Sequence, residues 1–334
     1  MQAIVDKESI GAAAYQTCMN TVCLFARPAG LLSIRGKDSL DFLNRLSTND
    51  LRNLHPGLQA TTVLTDERAR IIDVITVVVE EEGIMLCTSA GNSLAVLEWL
   101  GKFVILEDIR LLDLSSERTV CSLAGPLAGD LLGQAFGIEP PTGQGGVVRI
   151  PFSGRNLSIY RDQMWEFPVY NVLLGREDID EVRSVCTGAP QGGAPVGVGT
   201  AELFELLRIE QGVPKLGREI TEHVNPLEAG FRKFISFDKG CYIGQEVVAR
   251  LDTYKKVQKQ LSGIILEAEA GMSIRPGKIF SDEKEIGFTT SHCYSLKRNK
   301  PIALGYLKTN ISPENMIFKN DDAAFNARVS QLPF

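Results

Sequence analysis

The segment Lys239-Gly240-Cys241-Tyr242-Ile243-Gly244-Gln245-Glu246 is the most distinctive stretch of the sequence. It follows the apolar run 231–237, which predicts a strand, and it precedes residues 246–251, which predict a helix. Two glycines allow a tight bend, and a thiol near a helix start and beside Lys239 is placed where a thiolate is stabilised. We therefore predict a turn that presents Cys241 as a reactive thiol. The alternative is a small buried cysteine in a glycine-bounded turn.

The composition is typical of a soluble globular protein of two or three domains. The 334 residues carry a formal net charge of −6, which argues against a general polyanion binder, so no direct nucleic-acid binding is expected. Seven scattered cysteines are typical of a reducing compartment, and three histidines share no metal-ligand spacing with them. No segment resembles a signal peptide or a membrane span. We expect a cytoplasmic monomer without a metal site.

Helix and strand patterns mix without strict alternation up to about residue 255, and only strands are predicted after it. Residues 59–65 and 70–79 predict paired strands. Short strands between glycine and proline turns predict a small β-barrel, at 261–266, 278–280, 286–290 and 302–307. The predicted fold class is α+β. The predicted domains are 1–255, with two interleaved α+β subdomains divided near 50, 115 and 200, and the barrel domain 256–334.

Glu210 is a candidate binding residue because it lies on an apolar helix face. In the helix predicted after residue 200, it shares that face with Leu203 and Leu207. A carboxylate is costly to bury unless it meets hydrogen-bond donors. The alternative is a helix-end glutamate that reaches solvent or pairs with Arg208 or Lys215.

Asp73 is a second acid in apolar surroundings. It lies in a strand with two apolar faces and shares one side with Ile71, Ile75 and Val77. Such an acid predicts a functional role, and the alternative is an edge-strand or capping role.

These segments together resemble the aminomethyltransferase superfamily, the family of the glycine-cleavage T-protein. The resemblance covers about residues 30 to 310 and rests on Gly36-Lys37-Asp38, Thr48-Asn49-Asp50, 207–214 and 226–230. Within that superfamily, the octapeptide 239–246 with Arg250 is similar to the signature of the YgfZ-type branch. That branch comprises folate-binding proteins that assist iron–sulfur cluster assembly or repair.

The resemblance implies three domains in a cloverleaf around a channel that accepts tetrahydrofolate or a one-carbon derivative. Glu210 matches the glutamate that grips the pterin ring, and Asp73 matches the second of two adjacent acids. Ile72 replaces the first acid, so stand-alone aminomethyl transfer is not expected. The implied catalytic residues are Cys241 and Asp73, and the implied cofactor-binding residues are Glu210, Asp73, Asn49, Arg232 and Arg250.

Three functions remain open on the sequence. The first is a folate-binding accessory factor for iron–sulfur client or carrier proteins, with effects on tRNA modification and with Cys241 as its functional thiol. The second is a folate-dependent aminomethyl or methyl transferase or demethylase, which Glu210 and Asp73 favour and Ile72 disfavours. The third is a non-catalytic binding module in which Cys241 is part of the core.

Overall fold

The computed structural model describes residues 11–141, 145–189, 195–268, 274–309 and 315–334. Seven α-helices lie in these ranges, namely α1 (Ala12–Asn20), α2 (Ser39–Leu46), α3 (Ser93–Gly101), α4 (Ala128–Phe136), α5 (Ile179–Gly188), α6 (Ala201–Glu210) and α7 (Gln245–Thr253). Short 3₁₀ helices span Arg176–Asp178 and Phe231–Phe234. None of the helices in the described ranges is long and apolar enough to cross a membrane.

The chain divides into two compact units. The sheet unit comprises Gln16–Gly199 and Lys233–Gln245, and the barrel unit comprises Met1–Tyr15, Thr200–Arg232 and Glu246–Phe334. Each unit therefore contains segments that are distant in sequence. The predicted division at residue 255 and the cloverleaf arrangement stay predictions.

The sheet unit contains a five-stranded and a six-stranded sheet. The strands of the first are β2 (Gly30–Arg35), β3 (Gln59–Thr65), β4 (Ile71–Glu80), β5 (Gly83–Thr88) and β6 (Arg110–Asp113), in the order β3-β4-β5-β2-β6. The strands of the second are β1 (Val22–Arg27), β7 (Arg118–Ala124), β8 (Val147–Phe152), β9 (Arg155–Arg161), β10 (Val169–Gly175) and β11 (Val196–Val198), in the order β11-β1-β7-β10-β9-β8. The predicted pairing of 59–65 with 70–79 is confirmed as β3 and β4.

Strand β3 is buried at every position, whereas strand β4 alternates between buried and half-buried side chains over its first half. In β4, the odd-numbered positions from Ile71 to Val79 are buried, as the period of two requires, and the side predicted for Asp73 is confirmed. A shared core contains residues from both sheets, namely Leu31, Val78, Met85, Val120, Tyr160 and Leu173. The two sheets are therefore packed together within this unit.

The barrel unit contains a closed six-stranded barrel. Its strands are β12 (Lys259–Leu266), β13 (Lys278–Ser281), β14 (Lys284–Ser295), β15 (Lys300–Lys308), β16 (Met316–Lys319) and β17 (Ala324–Ser330), in the order β12-β15-β14-β13-β16-β17. Helix α6 begins after Thr200, whose hydroxyl accepts the Leu203 N–H, and it packs against β14 and β15. The α+β class and the C-terminal barrel are confirmed, although the sequence did not predict β16 and β17.

The prediction of a strand at 231–237 is wrong. Residues Phe231–Phe234 form a 3₁₀ helix, and the segment then continues as an irregular loop. The buried positions are Phe231, Phe234 and Ile235, the i, i+3, i+4 spacing of a helical turn, whereas Arg232 and Lys233 are exposed. The prediction treated the segment as one apolar run and overlooked these polar positions. The helix predicted at 246–251 is confirmed as α7.

Candidate functional site

Asp73 is completely buried, and both of its carboxylate oxygens accept hydrogen bonds from the protein. Oδ1 accepts from the Ser89 hydroxyl (2.6 Å) and the Val74 N–H (2.8 Å). Oδ2 accepts from the Ser89 N–H (3.0 Å) and from Asn92 Nδ2 (2.9 Å). Burial raises the pKa of this carboxyl, and these donors oppose the rise. Because Asn92 directly precedes α3, the acid ties the interior of the five-stranded sheet to the start of that helix.

These four hydrogen bonds account for Asp73 without any ligand. They match the capping alternative, and a contact between Asp73 and folate stays a prediction. Neighbouring Ile72 is half-buried and packs against the core of the five-stranded sheet. Ile72 and Val74 flank Asp73 on the strand, and a catalytic role of Asp73 stays a prediction.

Lys239 is buried, and its ammonium binds the end of α2. Its Nζ donates to the carbonyl oxygens of Asn44 (2.6 Å), Ser47 (2.9 Å) and Asn49 (2.5 Å). The last carbonyls of a helix lack partners within the helix, and a cation is favourable there. Burial lowers the pKa of Lys239 to about 8. The ammonium fixes the turn to α2, whereas the sequence led us to expect that it acts on the Cys241 thiol.

Asn49 fastens the loop after α2 to strand β3. Its Nδ2 donates to the Thr61 carbonyl oxygen (2.8 Å), and its main-chain N–H donates to the Thr62 hydroxyl (2.8 Å). Its Oδ1 accepts the Asp50 N–H (2.9 Å). The side chain of Asn49 therefore shapes the loop that receives Lys239, and its predicted contact with folate remains untested.

Cys241 is exposed, whereas the other six cysteines, all within the described residues, are buried or half-buried. The next residue, Tyr242, is buried, and Ile243 packs against the core of the five-stranded sheet. The Thr65 hydroxyl donates to the Ile243 carbonyl oxygen (2.7 Å). The turn is thus anchored on both sides of an accessible thiol, and the alternative of a buried core cysteine is wrong.

The two glycines of the turn differ in the space available for a side chain. Gly244 has φ of +83°, and a Cβ there would lie 2.6 Å from the Asp66 carbonyl oxygen. Only glycine fits that close approach to the β3–β4 hairpin. A Cβ at Gly240 would meet nothing within 4 Å, so the space on that side of Cys241 is open.

Glu210 ends α6 in the barrel unit, and its carboxylate is also buried against protein donors. Oε2 accepts from the Tyr15 hydroxyl (2.8 Å), and Oε1 accepts from the Ser295 hydroxyl (2.6 Å). The Lys297 N–H reaches Oε1 at 3.5 Å, and the main-chain oxygen of Glu210 accepts the Phe334 N–H (2.8 Å). The acid therefore joins α1, β14 and the C-terminal segment.

This arrangement limits how a pterin could bind. A carboxylate has about four acceptor positions, and three of those of Glu210 are used. Two parallel N–H groups of a pterin would therefore compete with the contacts that these oxygens already make. The predicted pairing of Glu210 with Arg208 or Lys215 is not formed, because both bind Glu205 instead.

A buried ionic network beside Glu210 was missed by the sequence analysis. Arg208 donates to both oxygens of Glu205 and to the fully buried Glu219 (3.0 Å). The hydroxyls of Thr290 and Ser291 donate to the other oxygen of Glu219, each at 2.6 Å. The helical spacing of Glu205 and Arg208 was the signal that could have suggested a pair. This network fastens α6 to the barrel.

The two arginines predicted to bind folate lie at the surface of the barrel unit. Arg232 forms a bidentate ion pair with Asp252 of α7. Arg250 is exposed in the last turn of α7, and no ion pair with Glu246 is found in the part of the chain that the structure describes. The structure therefore groups Asn49, Asp73 and Cys241 in the sheet unit, and Glu210, Arg232 and Arg250 in the barrel unit.

Within the same described ranges, no cluster of three or more His, Cys, Asp or Glu side chains could hold a metal ion.

Comparison with known proteins matches both parts of the chain to one family. Residues 9–142 match the GCVT N-terminal domain, and residues 259–334 match the glycine cleavage T-protein C-terminal barrel domain. A provisionally named chloroplastic transferase of Arabidopsis thaliana is 28% identical over 317 residues, 91% of this chain and 69% of that protein. The aminomethyltransferase of Aquifex aeolicus is 27% identical over 274 residues, 79% of this chain and 70% of that protein.

A solved structure shows the same fold. The glycine cleavage system aminomethyltransferase T from Bartonella henselae superposes with a TM-score of 0.82 at 20% identity. The superposition covers 96% of this chain and 88% of that one. With its N-terminal domain, its C-terminal barrel and its fold all matched, the chain belongs to the aminomethyltransferase (glycine-cleavage T-protein) superfamily.

Proposed function

We propose that this chain is a tetrahydrofolate-binding accessory protein of the YgfZ type, which assists iron–sulfur cluster assembly or repair through Cys241. The observation that carries the proposal is the placement of the exposed thiol in a turn fixed by Lys239, Tyr242 and Gly244. Reactive cysteines are accessible, whereas buried structural ones are inert. The seven scattered cysteines also favour a reducing compartment, and we place the protein in the cytoplasm.

A single thiol at this position can act in two ways. As a thiolate it attacks a partner disulfide, so that a bond forms between Cys241 and one sulfur while the other sulfur leaves as a thiolate. It can also bind iron of a cluster that a client protein carries, with the remaining ligands supplied by that client. Neither reaction requires a second cysteine in this chain, and the open space beside Gly240 admits a partner.

Replacing Cys241 with serine tests the thiol. Cys241→Ser keeps the size and polarity of the side chain, so we expect normal folding and normal tetrahydrofolate affinity. We also expect no restoration of iron–sulfur enzyme activities or modified-tRNA content in a strain lacking the gene. Gly240→Ala is the matched control, because a Cβ meets nothing there and the thiol is retained. Full complementation by Cys241→Ser would show that the thiol has no such function.

Folate binding is supported by membership of a superfamily whose named relatives are aminomethyltransferases. Tetrahydrofolate, when bound, supplies nitrogens that carry one-carbon groups. We propose that Glu210 accepts pterin N–H donors, with Tyr15 and Ser295 orienting its carboxylate.

Glu210→Gln tests this role, because glutamine keeps the shape but removes the charge. We expect tetrahydrofolate affinity to fall by about tenfold or more, since hydrogen bonds to a charged acceptor are worth roughly 1.5–3 kcal/mol. Calorimetric titration measures the affinity, and thermal unfolding without ligand is the control. Equal affinity in variant and wild type would assign Glu210 to structure alone.

The second candidate is a folate-dependent aminomethyl or methyl transferase or demethylase. It is favoured by the names of the relatives. It is disfavoured by Ile72, which stands where an acid is expected, and by the four hydrogen bonds that occupy Asp73. Robust turnover of an aminomethylated carrier protein by the purified chain would favour this candidate over the accessory role.

A further inference from the structure

The carboxylate of Glu210 is closed off from solvent within the barrel unit. Glu210 is 2% exposed, and the two residues whose hydroxyls bind its oxygens, Tyr15 and Ser295, are 3% and 0% exposed. Phe334, whose N–H binds the main-chain oxygen of Glu210, is 1% exposed. The flat edge of a pterin cannot reach the carboxylate past these side chains. Binding at Glu210 therefore requires that one of the three covering residues moves.

Two of the three covering residues are fixed in the barrel. Ser295 ends β14, and its hydroxyl accepts the Arg298 N–H (3.0 Å) while it donates to Glu210 (2.6 Å). The Phe334 ring lies so close to β12 that a Cβ at Gly263 would meet it at 2.9 Å. Moving either residue would therefore break contacts of the barrel itself.

Tyr15, the third covering residue, belongs to a more exposed segment. In the part of α1 that lies in the barrel unit, Ala12 and Ala13 are exposed and Ala14 is half-buried. The Tyr15 hydroxyl donates to Oε2 of Glu210 (2.8 Å). Segments with few buried side chains open locally at the lowest cost in free energy. Tyr15 is therefore the covering residue whose displacement disturbs the barrel least.

We propose that Tyr15 is an autoinhibitory latch on Glu210, and that tetrahydrofolate binds only after the Tyr15 hydroxyl has left Oε2. The proposal rests on the pterin-binding role proposed above for Glu210 and adds control of access to that site. While the latch is closed, Tyr15 and Ser295 together orient the carboxylate. When it opens, Ser295 stays in place and a pterin N–H donates to Oε2 instead, so the buried acceptor keeps a donor.

The latch sets the apparent affinity through the fraction of molecules in which it is open. A ligand that binds only one conformation binds more weakly when that conformation is rarely populated. Tyr15→Phe keeps the ring but removes the hydrogen bond to a charged acceptor, which is worth about tenfold or more in an equilibrium constant. The open fraction, and with it the apparent affinity, should rise accordingly.

Tyr15→Phe in the full chain tests the latch by calorimetric titration with tetrahydrofolate. We expect the dissociation constant to fall by about tenfold. Ser295→Ala is the matched control, because it removes the hydroxyl that stays bound to Glu210 in both states, and its affinity should fall. Unchanged or weaker binding by Tyr15→Phe would show that the Tyr15 hydroxyl does not block the site, and it overturns the proposal.

Acetylation of tyrosine hydroxyls by N-acetylimidazole tests the same movement in the wild-type chain, so that the result does not depend on the folding of a variant. We expect saturating tetrahydrofolate to increase acetylation of Tyr15 by about fivefold or more, as located by mass spectrometry. Tyr306 is the internal control, because it is buried in the same unit and its hydroxyl donates to the Glu219 main-chain oxygen (2.8 Å). Acetylation of Tyr15 that stays constant or falls contradicts the latch.

Glu210→Gln separates failure of the latch from failure of the pterin-binding role. If Glu210→Gln binds tetrahydrofolate as tightly as the wild type, the role of Glu210 fails and the latch fails with it. If Glu210→Gln loses affinity and Tyr15→Phe does not gain it, the latch alone fails.

Discussion

Asp73 offers the sharpest test of whether a buried acid in this chain serves structure or ligand binding. In the change Asp73→Asn, one oxygen becomes an NH₂ group at the same position. If Oδ1 is kept, the new group faces the Ser89 N–H and Asn92 Nδ2, which are both donors. Asn92 cannot simply flip its amide, because its Nδ2 also donates to the Ile72 carbonyl oxygen (3.2 Å). Two buried donors would then lack an acceptor.

The cost follows from these two donors. A buried donor without a partner costs about 1–3 kcal/mol, and removal of a buried charge offsets part of the sum, so we expect about 2–4 kcal/mol of lost stability. For a unit of this size, that corresponds to a fall in melting temperature of about 5–15 °C. Differential scanning calorimetry without folate measures the effect. The variant should keep tetrahydrofolate affinity at temperatures where it is folded.

Asp66→Asn is the matched control for this experiment. Oδ1 of Asp66 accepts the N–H groups of Arg68 and Arg70 in the hairpin after β3, and asparagine retains one such oxygen. We expect a loss of less than about 1 kcal/mol there. Unchanged stability of Asp73→Asn together with a large loss of folate affinity would refute the structural interpretation and return Asp73 to the ligand site.

Two further predictions concern the turn and the barrel. Gly244→Ala should destabilise the sheet unit by about 1–3 kcal/mol and lower its ability to complement a strain lacking the gene, because φ is +83° and a Cβ approaches the Asp66 carbonyl oxygen. If thermal unfolding shows the same stability as for Gly240→Ala, this prediction is wrong. Arg208→Met should lower the free energy of unfolding, measured in urea, by about 3–5 kcal/mol, because it leaves the fully buried Glu219 without its cation. The double variant with Glu219→Gln should recover part of this loss. A double variant no more stable than the single one would show that the pair is not coupled.

The sequence predicted those parts of the fold that depend on local composition and spacing. Strands β3 and β4 follow from two strand-forming runs separated by a polar turn, and helix α6 follows from the helical spacing of its leucines. The segment 231–237 shows where this reasoning fails, since Arg232, Lys233 and Ser236 interrupt its apolar residues and the buried positions are 231, 234 and 235, the i, i+3, i+4 spacing of a helical turn. Strands β16 and β17 were not predicted; β17 carries mostly polar or small residues.

The candidate site was predicted less well, because its partners are distant in sequence. Glu210 was recognised as a buried acid, but its donors Tyr15 and Ser295 are 195 and 85 residues away along the chain. Lys239 was noticed beside Cys241, but its acceptors lie about 190 residues earlier, at the end of α2. The spacing of residues along the chain indicates that a charged group is buried, but it does not indicate which groups form its hydrogen bonds.

The partners of a buried charge decide how much about function can be inferred from it. Asp73, Glu210 and Lys239 are all costly to bury, and each is compensated by donors or acceptors from the protein itself. A buried charge in this chain therefore indicates a structural hydrogen-bond network as readily as it indicates a ligand site. Exposure is the rarer feature: five cysteines are buried and Cys87 is half-buried, yet the turn around Cys241 is fixed so that this thiol stays accessible. The functional argument for the thiol therefore rests on the residue that the fold leaves unburied.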